Sequence, residues 1–436
     1  MVRQQETTSP PTSLDGLVSR FGLVSRVGAL PTAGFPGEYH FWKAEGGNTH
    51  RHGVSAGPEL IGGGHVWGDP QRARFIAIAE TAERYAGHDV LSEHRIRATA
   101  DELSGECLEP ERYPRCSPEE YARPGCPVVP FDPAAPIRWS SGLDLITREP
   151  VWVPSVMACY GVADVGPAER FAPRISTGFA VHTDPVEAVV RGMFEVIERD
   201  ANAVLWLQRL PLPEIHSAHL TGDVVRLVEW CRLRFKEVRL FDATSDLGVP
   251  TAYCVISARH DRRARQMVGA SCGRDIGAAA HKALLEALGS PLHIHSVPES
   301  DAADSPETMY AAGDTARYMG RAEHRHAFDF LLAASDDRPA PFVRPSLPDD
   351  PSEALARLLT RFADVGMRPV AVDRTPRELV DVGLTAVNVV IADLQPMALM
   401  PLAQFTAHPR LYEAPARMGY RVLPRESLNP WPQPMG

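Results

Sequence analysis

Short β-branched runs alternate with long amphipathic stretches along the chain. Val238–Asp242, Thr251–Ile256 and Ala386–Ile391 are rich in side chains that suit a pleated surface, and they predict strands. Three long helices interleave with them. The pattern is clearest after Asp184. Val186, Val189, Val190, Met193 and Ile197 form one stripe there, and Glu187, Arg191, Glu195 and Glu198 form the opposite one. A mixed α/β fold is the expectation. Residues 105–137, with Pro, Gly and three Cys, read as a surface insertion or connecting stretch, and Glu299–Thr315 reads as a polar loop. The final run Pro430-Trp431-Pro432-Gln433-Pro434-Met435-Gly436 lacks alternate backbone donors, so it predicts an extended tail rather than a helix or central strand.

Three helix starts share one layout. Asp69, Asp184 and Asp275 each follow a stretch containing Gly (Gly64, Gly178, Gly269), where a turn is expected. Ala stands four residues later, at Ala73, Ala188 and Ala279, and Glu eleven residues later, at Glu80, Glu195 and Glu286. Pro70 and Pro185 directly follow the first two Asp residues, as suits an N-cap and first helical position. Each helix should therefore start on an Asp cap and carry a carboxylate three turns in.

Two of these helices continue as Glu80-Thr81-Ala82-Glu83-Arg84 and Glu195-Val196-Ile197-Glu198-Arg199. Spacing i, i+3 puts both carboxylates on one face, with Arg one turn from the first. A single stripe of this kind is ordinarily a solvated face, and Glu187 fits a capping-box partner of Asp184. Several converging stripes have a different consequence. Facing carboxylates raise each other's pKa, and a hard divalent cation relieves that conflict by taking carboxylate oxygens together with phosphate and water. Arg84 and Arg199 could then present forked guanidinium donors to phosphate. No Walker A sequence occurs, so the pattern points to Mg2+–nucleotide binding by another route.

Composition narrows the setting. The 436 residues are 44% apolar and carry a formal charge of −10, which argues against general nucleic-acid binding. No apolar run approaches the roughly 18 residues of a membrane span, and the polar N-terminus does not read as a signal peptide. Seven cysteines without a CxxC pair read as reduced thiols, so a soluble cytoplasmic protein is expected. His182 and His281 read as turn or packing residues, and His293 and His295 lack further ligands at zinc spacing.

These residues resemble the motifs of the YcaO family, ATP-dependent enzymes that modify backbone amides of ribosomally made peptides. Ala77, Glu80, Glu83 and Arg84 match the first motif, with Ala in place of Ser. Ser176-Thr177-Gly178-Phe179-Ala180 leads through Glu187 into Glu195-Val196-Ile197-Glu198-Arg199-Asp200, with Thr177 and Thr183 where Asn is usual. Ala283–Leu288 is similar to the third motif, with Gly289 at the expected Gln. The tail is similar to the Pro-x-Pro-x-Pro ending of azoline-forming cyclodehydratases, through Pro430, Pro432, Pro434 and Gly436.

The Ser/Thr/Pro/Gln-rich residues 1–14 read as a flexible lead-in and 15–60 as an N-terminal segment of uncertain kind, while the resemblance implies a catalytic domain over residues 61–428 and a tail at 429–436. It implies ATP and Mg2+ as cofactors. Glu80, Glu83, Glu195, Glu198 and Glu286 would hold metal, and Arg84, Ser176, Thr183, Glu187, Arg199 and Glu286 would bind the nucleotide. The tail prolines and Gly436 would shape the catalytic centre. It further implies a ribosomal precursor peptide as substrate, closed into thiazoline or oxazoline at Cys, Ser or Thr. A separate leader-binding protein is expected, because the region ahead of residue 60 leaves little room for that module. Dimers are common in such families, so a homodimer is compatible. A thioamide- or macroamidine-forming YcaO enzyme is the alternative within the class, and a non-catalytic scaffold the alternative outside it.

Overall fold

The computed structural model describes residues 14–32, 34–47, 60–89, 95–298, 305–309, 313–333 and 346–435. Most of the expected lead-in, part of the Glu299–Thr315 stretch and Gly436 lie outside the described residues. The strand-forming runs pair antiparallel throughout. In chain order the strands are β1 (Val24–Ala29), β2 (Tyr39–Gly46), β3 (Ile61–Trp67), β4 (Arg95–Ala98), β5 (Ile137–Asp144), β6 (Pro150–Pro154) and β7 (Phe179–His182). Then come β8 (Lys236–Asp242), β9 (Thr251–Ala258), β10 (Gln266–Cys272), β11 (Val370–Asp373) and β12 (Thr385–Val390).

They build three sheets among the described residues. The orders are β1-β2-β3, β10-β9-β8 and β4-β5-β11-β12-β7, with β6 added to β5. The segment before residue 60 thus supplies β1 and β2, joined to β3 in one sheet. The mixed α/β expectation holds.

Three helices follow directly on strands that end a sheet. They are α1 (Pro70–Ala86) after β3, α2 (Pro185–Leu207) after β7, and α3 (Ile276–Ser296) after β10. All three expected Asp caps form. The Asp69 carboxylate accepts from the Gln71 and Arg72 N–H groups, Asp184 from Val186 and Glu187, and Asp275 from Ala278. Two of the expected turns do not form, because Gly64 and Gly269 lie within β3 and β10. Their role is close approach. A Cβ on Gly64 would stand 1.9 Å from the Ala73 carbonyl oxygen, and one on Gly269 would stand 2.1 Å from that of Ala283. Only Gly178, at φ 88°, sits in a turn.

The apolar stripe of α2 packs as its period requires. Met193 and Ile197 bury against Val387 and Val389 of β12 and against Leu358 and Phe362 of α4 (Pro351–Asp364). Ile256, Ala283, Leu284 and Leu288 form a second core between α3 and the β8–β10 sheet. Residues 105–137 are a surface stretch only in part, since most of 122–136 is exposed. Leu108, Tyr113 and Cys116 are buried, and the Tyr113 hydroxyl donates to the Leu108 carbonyl at 2.7 Å. Few apolar residues carry this packing, and none recurs at a regular period, so the pattern concealed it. All seven cysteines are free. No helix among the described residues is long and apolar enough to cross a membrane.

The Pro-rich end forms neither helix nor strand, as expected, yet it is packed rather than solvated. Pro432 to Met435 are buried. The Trp206 indole N–H donates to the Trp431 carbonyl at 2.9 Å, the Asn429 N–H to the Leu207 carbonyl at 2.8 Å, and the Thr315 hydroxyl to the Met435 carbonyl at 2.7 Å.

Candidate active site

An edge strand leaves backbone N–H groups without a sheet partner. Each of the three helices answers this with the Glu eleven residues past its cap. Gly63 N–H of β3 donates to Glu80 Oε2 at 2.9 Å, and Gly178 N–H, just before β7, donates to Glu195 Oε2 at 3.1 Å. The Ala270 N–H of β10 lies close enough to Glu286 to favour its charged form. Glu198 completes the set by accepting from Cys272 N–H at 3.1 Å. The carbonyl of Gly178 meanwhile accepts from Val389 of β12, which turns its N–H outward to the acid. Strand edge, cap and carboxylate therefore form one repeated unit, and the three units meet.

The meeting is visible where Arg84 crosses from α1 to the segment ahead of β7 and Glu198 crosses from α2 to β10. Arg84 of α1 donates to the Ser176 hydroxyl at 2.7 Å and to Glu80 Oε1 at 3.1 Å. Arg199 reaches Glu195 Oε1 at 3.5 Å and the Met397 sulfur at 3.9 Å. Lys282 of α3 lies 3.7 Å from Glu286, one turn along the same helix. The cleft they line is deep but wet: Glu80 and Arg84 each keep 32% of their side-chain exposure, Glu195 22% and Lys282 65%.

The electrostatics follow from that placement. Burial, then Glu195 and Glu80 across the cleft, holds the Glu83 carboxyl well above its ordinary range. Glu195 is raised by burial and by Glu198, against the pull of Arg199 and Arg84. Burial and Glu198 push Glu286 up to about 7, opposed by Lys282 and Arg199. The same acids raise the pKa of Lys282. Five carboxylates face three cations, so two negative charges stay unmatched when all are ionised.

The other expected site residues are placed as follows. Glu187 is buried near the start of α2, where Arg274 grips it with two bonds and Arg191 adds a third; these guanidinium groups hold its pKa down against burial. It stands eight residues, roughly 12 Å of helix axis, from Glu195. Thr183 is exposed beside it. Both lie away from the acid cluster, at the far end of the same helix. Pro432 and Pro434 are buried near the C-terminal turn of α2, whereas Pro430 is exposed. Met435 joins the core cluster that also holds Ala270 and Met397, the two residues that touch Glu286 and Arg199. His182 serves the turn, where its Nδ1 accepts from Asp184 N–H. His293 and His295 end α3 and bind Arg317 and Asp261 instead of sharing a ligand.

Several participants carry weaker sequence signals. Lys282 stands i−4 from Glu286 and was legible only through that spacing. Arg274 directly precedes the Asp275 cap and has no motif of its own. Arg410, fully buried, clamps Asp200 with both Nε and Nη2 and also reaches Asp246, fixing α2 from behind the cleft. Asn202, one turn beyond Glu198, buries both amide atoms with no hydrogen-bond partner among the described residues, as Arg199 buries its Nε.

Among the described residues, no three acid, His or Cys side chains are gathered tightly enough to cage a metal alone. Glu80, Glu195 and Glu198 are each held apart along the cleft by a backbone donor, and Glu286 faces the Ala270 N–H. That arrangement fits Mg2+, which takes one or two carboxylates and completes its shell with phosphate and water. The unmatched negative charge fits the cation, and the Arg199 Nε–H, unpartnered among the described residues, fits a phosphate oxygen.

Three antiparallel sheets with an acidic cleft at their meeting edges define a class of α/β protein that gathers carboxylates from separate stretches of chain. The family model described as YcaO cyclodehydratase, ATP- and Mg2+-binding, matches residues 68–395, and this chain belongs to the YcaO family. A protein from Rhizobium leguminosarum bv. trifolii, described as uncharacterized in the tfuA 3' region, is 29% identical over 238 residues, covering 51% of this chain and 53% of that one. A solved heterocyclase in complex with substrate and cofactor superposes with a TM-score of 0.79 at 22% identity, over 95% of this chain and 55% of that chain. The YcaO from Methanopyrus kandleri bound with AMPPCP and Mg2+ superposes with a TM-score of 0.57 at 20% identity, over 85% and 86%. The chain thus spans about half the length of the curated relative and of the heterocyclase it matches.

Proposed function

We propose that this protein is an ATP- and Mg2+-dependent cyclodehydratase that closes Cys, Ser or Thr side chains of a ribosomal precursor peptide onto the preceding amide carbonyl, giving thiazoline or oxazoline. One observation carries the reading: carboxylates from α1, α2 and α3 line a single wet cleft with excess negative charge and phosphate-ready arginines. Bound Mg2+ and ATP would supply charge neutralisation and the phosphoryl group that turns an amide oxygen into a good leaving group.

This chain's own residues do the positioning. Glu80, Glu83, Glu195, Glu198 and Glu286 would hold the metal directly or through its waters. Arg84 and Arg199 would take phosphate oxygens, with Ser176 holding the Arg84 fork in place. Glu187, already neutralised by Arg274 and Arg191, suits acceptance from neutral hydroxyls better than metal binding, so the nucleoside end would lie toward Thr183 and Glu187. The tail braces the C-terminal turn of α2 and the cluster around Met397. A separate leader-binding partner belongs to the same reading.

The test combines this protein, its candidate partner, ATP, Mg2+ and the cognate precursor peptide. The expected product has lost one water per ring, with phosphate release that depends on peptide. Exchange of oxygen for sulfur would place the protein with thioamide-forming enzymes. Phosphate release unchanged in Glu195→Gln plus Glu198→Gln would remove the assignment of the acids.

A further inference from the structure

Resting on that nucleotide-binding reading, we propose that His65 is a neutral hydrogen-bond donor to a phosphate oxygen of the bound nucleotide, with its tautomer fixed by Tyr39. His65 lies two residues past Gly63 on β3, so the two positions share a face of the strand. A Cβ on Gly63 would stand 3.7 Å from His65 Nε2, and the Gly63 N–H itself binds Glu80. The imidazole therefore stands beside the strand position whose N–H binds the first carboxylate. Phe41 stacks on it at 3.9 Å between centroids and 19° between planes.

On the other side the ring fills a space left by α3. Gly289 stands three residues beyond Glu286, and a Cβ there would come within 2.7 Å of His65 Cε1. Gly289 is one of the departures from the family pattern, and the aromatic ring of His65 occupies the room that a side chain at 289 would need.

Hydrogen bonding sets the proton. Tyr39 is fully buried, and its hydroxyl lies 2.5 Å from His65 Nδ1, its sole hydrogen-bond partner among the described residues. Burial raises the phenol pKa, so the O–H persists and must find an acceptor. The acceptor is Nδ1, which leaves the ring hydrogen on Nε2. Burial also pushes the imidazolium down to about 4, so the ring is neutral near pH 7. Nε2 has no hydrogen-bond partner among the described residues, and the half-buried ring keeps water access. A neutral donor adds direction at the phosphate without adding positive charge that would compete with metal.

The experiment measures affinity of the full-length protein for a non-hydrolysable ATP analogue with Mg2+, together with the 15N shifts of His65. His65→Phe keeps the stack and removes the donor, so affinity should fall about 10-fold or more. His65→Gln, which returns an N–H near the same place, should recover most of it. Tyr39→Phe should leave the fold in place, mix the two tautomers and weaken binding by a smaller factor. Wild-type nitrogen shifts should report hydrogen on Nε2. Unchanged affinity in His65→Phe, or hydrogen on Nδ1 in the wild type, overturns the proposal. If the wild type binds no nucleotide, the nucleotide reading itself falls.

Discussion

Arg84 Nη1 donates to the Ser176 hydroxyl at 2.7 Å, joining side chains 92 residues apart, while Nη2 holds Glu80. One planar group thereby sets the spacing of the first two acidic segments. Lys cannot span both partners from a single nitrogen. Arg84→Lys should therefore lower peptide-dependent phosphate release by about 10-fold or more while far-UV circular dichroism stays the same. Full activity in this variant would show that charge alone suffices there.

A raised carboxyl pKa means that the folded protein favours the neutral form. Glu195→Gln keeps an acceptor for Gly178 N–H and removes one charge from the crowded cleft. Thermal stability in EDTA should rise, and peptide-dependent turnover should fall by about 100-fold or more. A drop in both would mean that the Glu195–Arg199 pair outweighs the repulsion.

Glu286 gives the cleft a pH signature. Its folded pKa of about 7 lies above the ordinary 4.5, so between those values the metal-free folded state holds a proton that the unfolded chain has released. Stability from this group is present at low pH and is lost as pH rises through about 7. Buried His65 and His408 act in the opposite sense, since both are pushed down to about 4. The wild type is therefore best compared with Glu286→Gln in EDTA. The melting-temperature gap should widen in favour of the variant from pH 5 to pH 8, and saturating Mg2+ should narrow it. A gap independent of pH would count against the shift.

Thr315 ties the tail to the body through the buried Met435 carbonyl. Thr315→Val leaves that carbonyl without its donor, which should cost about 1–3 kcal/mol in chemical denaturation. Ring formation, followed by product mass, should fall further than stability alone explains, because Met435 shares its cluster with Met397 and Ala270. Because Pro432 to Met435 are buried, removing residues 430–436 should lower stability as well as activity.

Much of the site was legible because local rules wrote it. The Asp caps, the Glu three turns in and the Glu-x-x-Glu-Arg stripes follow from helix geometry, which sequence spacing reports directly. What stayed hidden depends on chain returning from far away. Nothing around Gly63 or Gly178 announces that its N–H faces an open sheet edge, because the neighbouring strand on the other side decides that. Tyr39 and His65 stand 26 residues apart and meet only through the pairing of β2 with β3. Gly64 and Gly269 looked like turn residues, since the chain does not state that a helix will press on them.

The three carboxylates that cap β3, β7 and β10 also bear on how the polypeptide behaves before any ligand arrives. Exposed rims of this kind are where neighbouring copies zip together during synthesis or at high concentration. By placing an acid of the proposed site on each rim, the chain would guard itself against aggregation with the same atoms assigned to the chemistry, so substitutions that abolish an acceptor there should yield insoluble protein sooner than those that merely remove its charge.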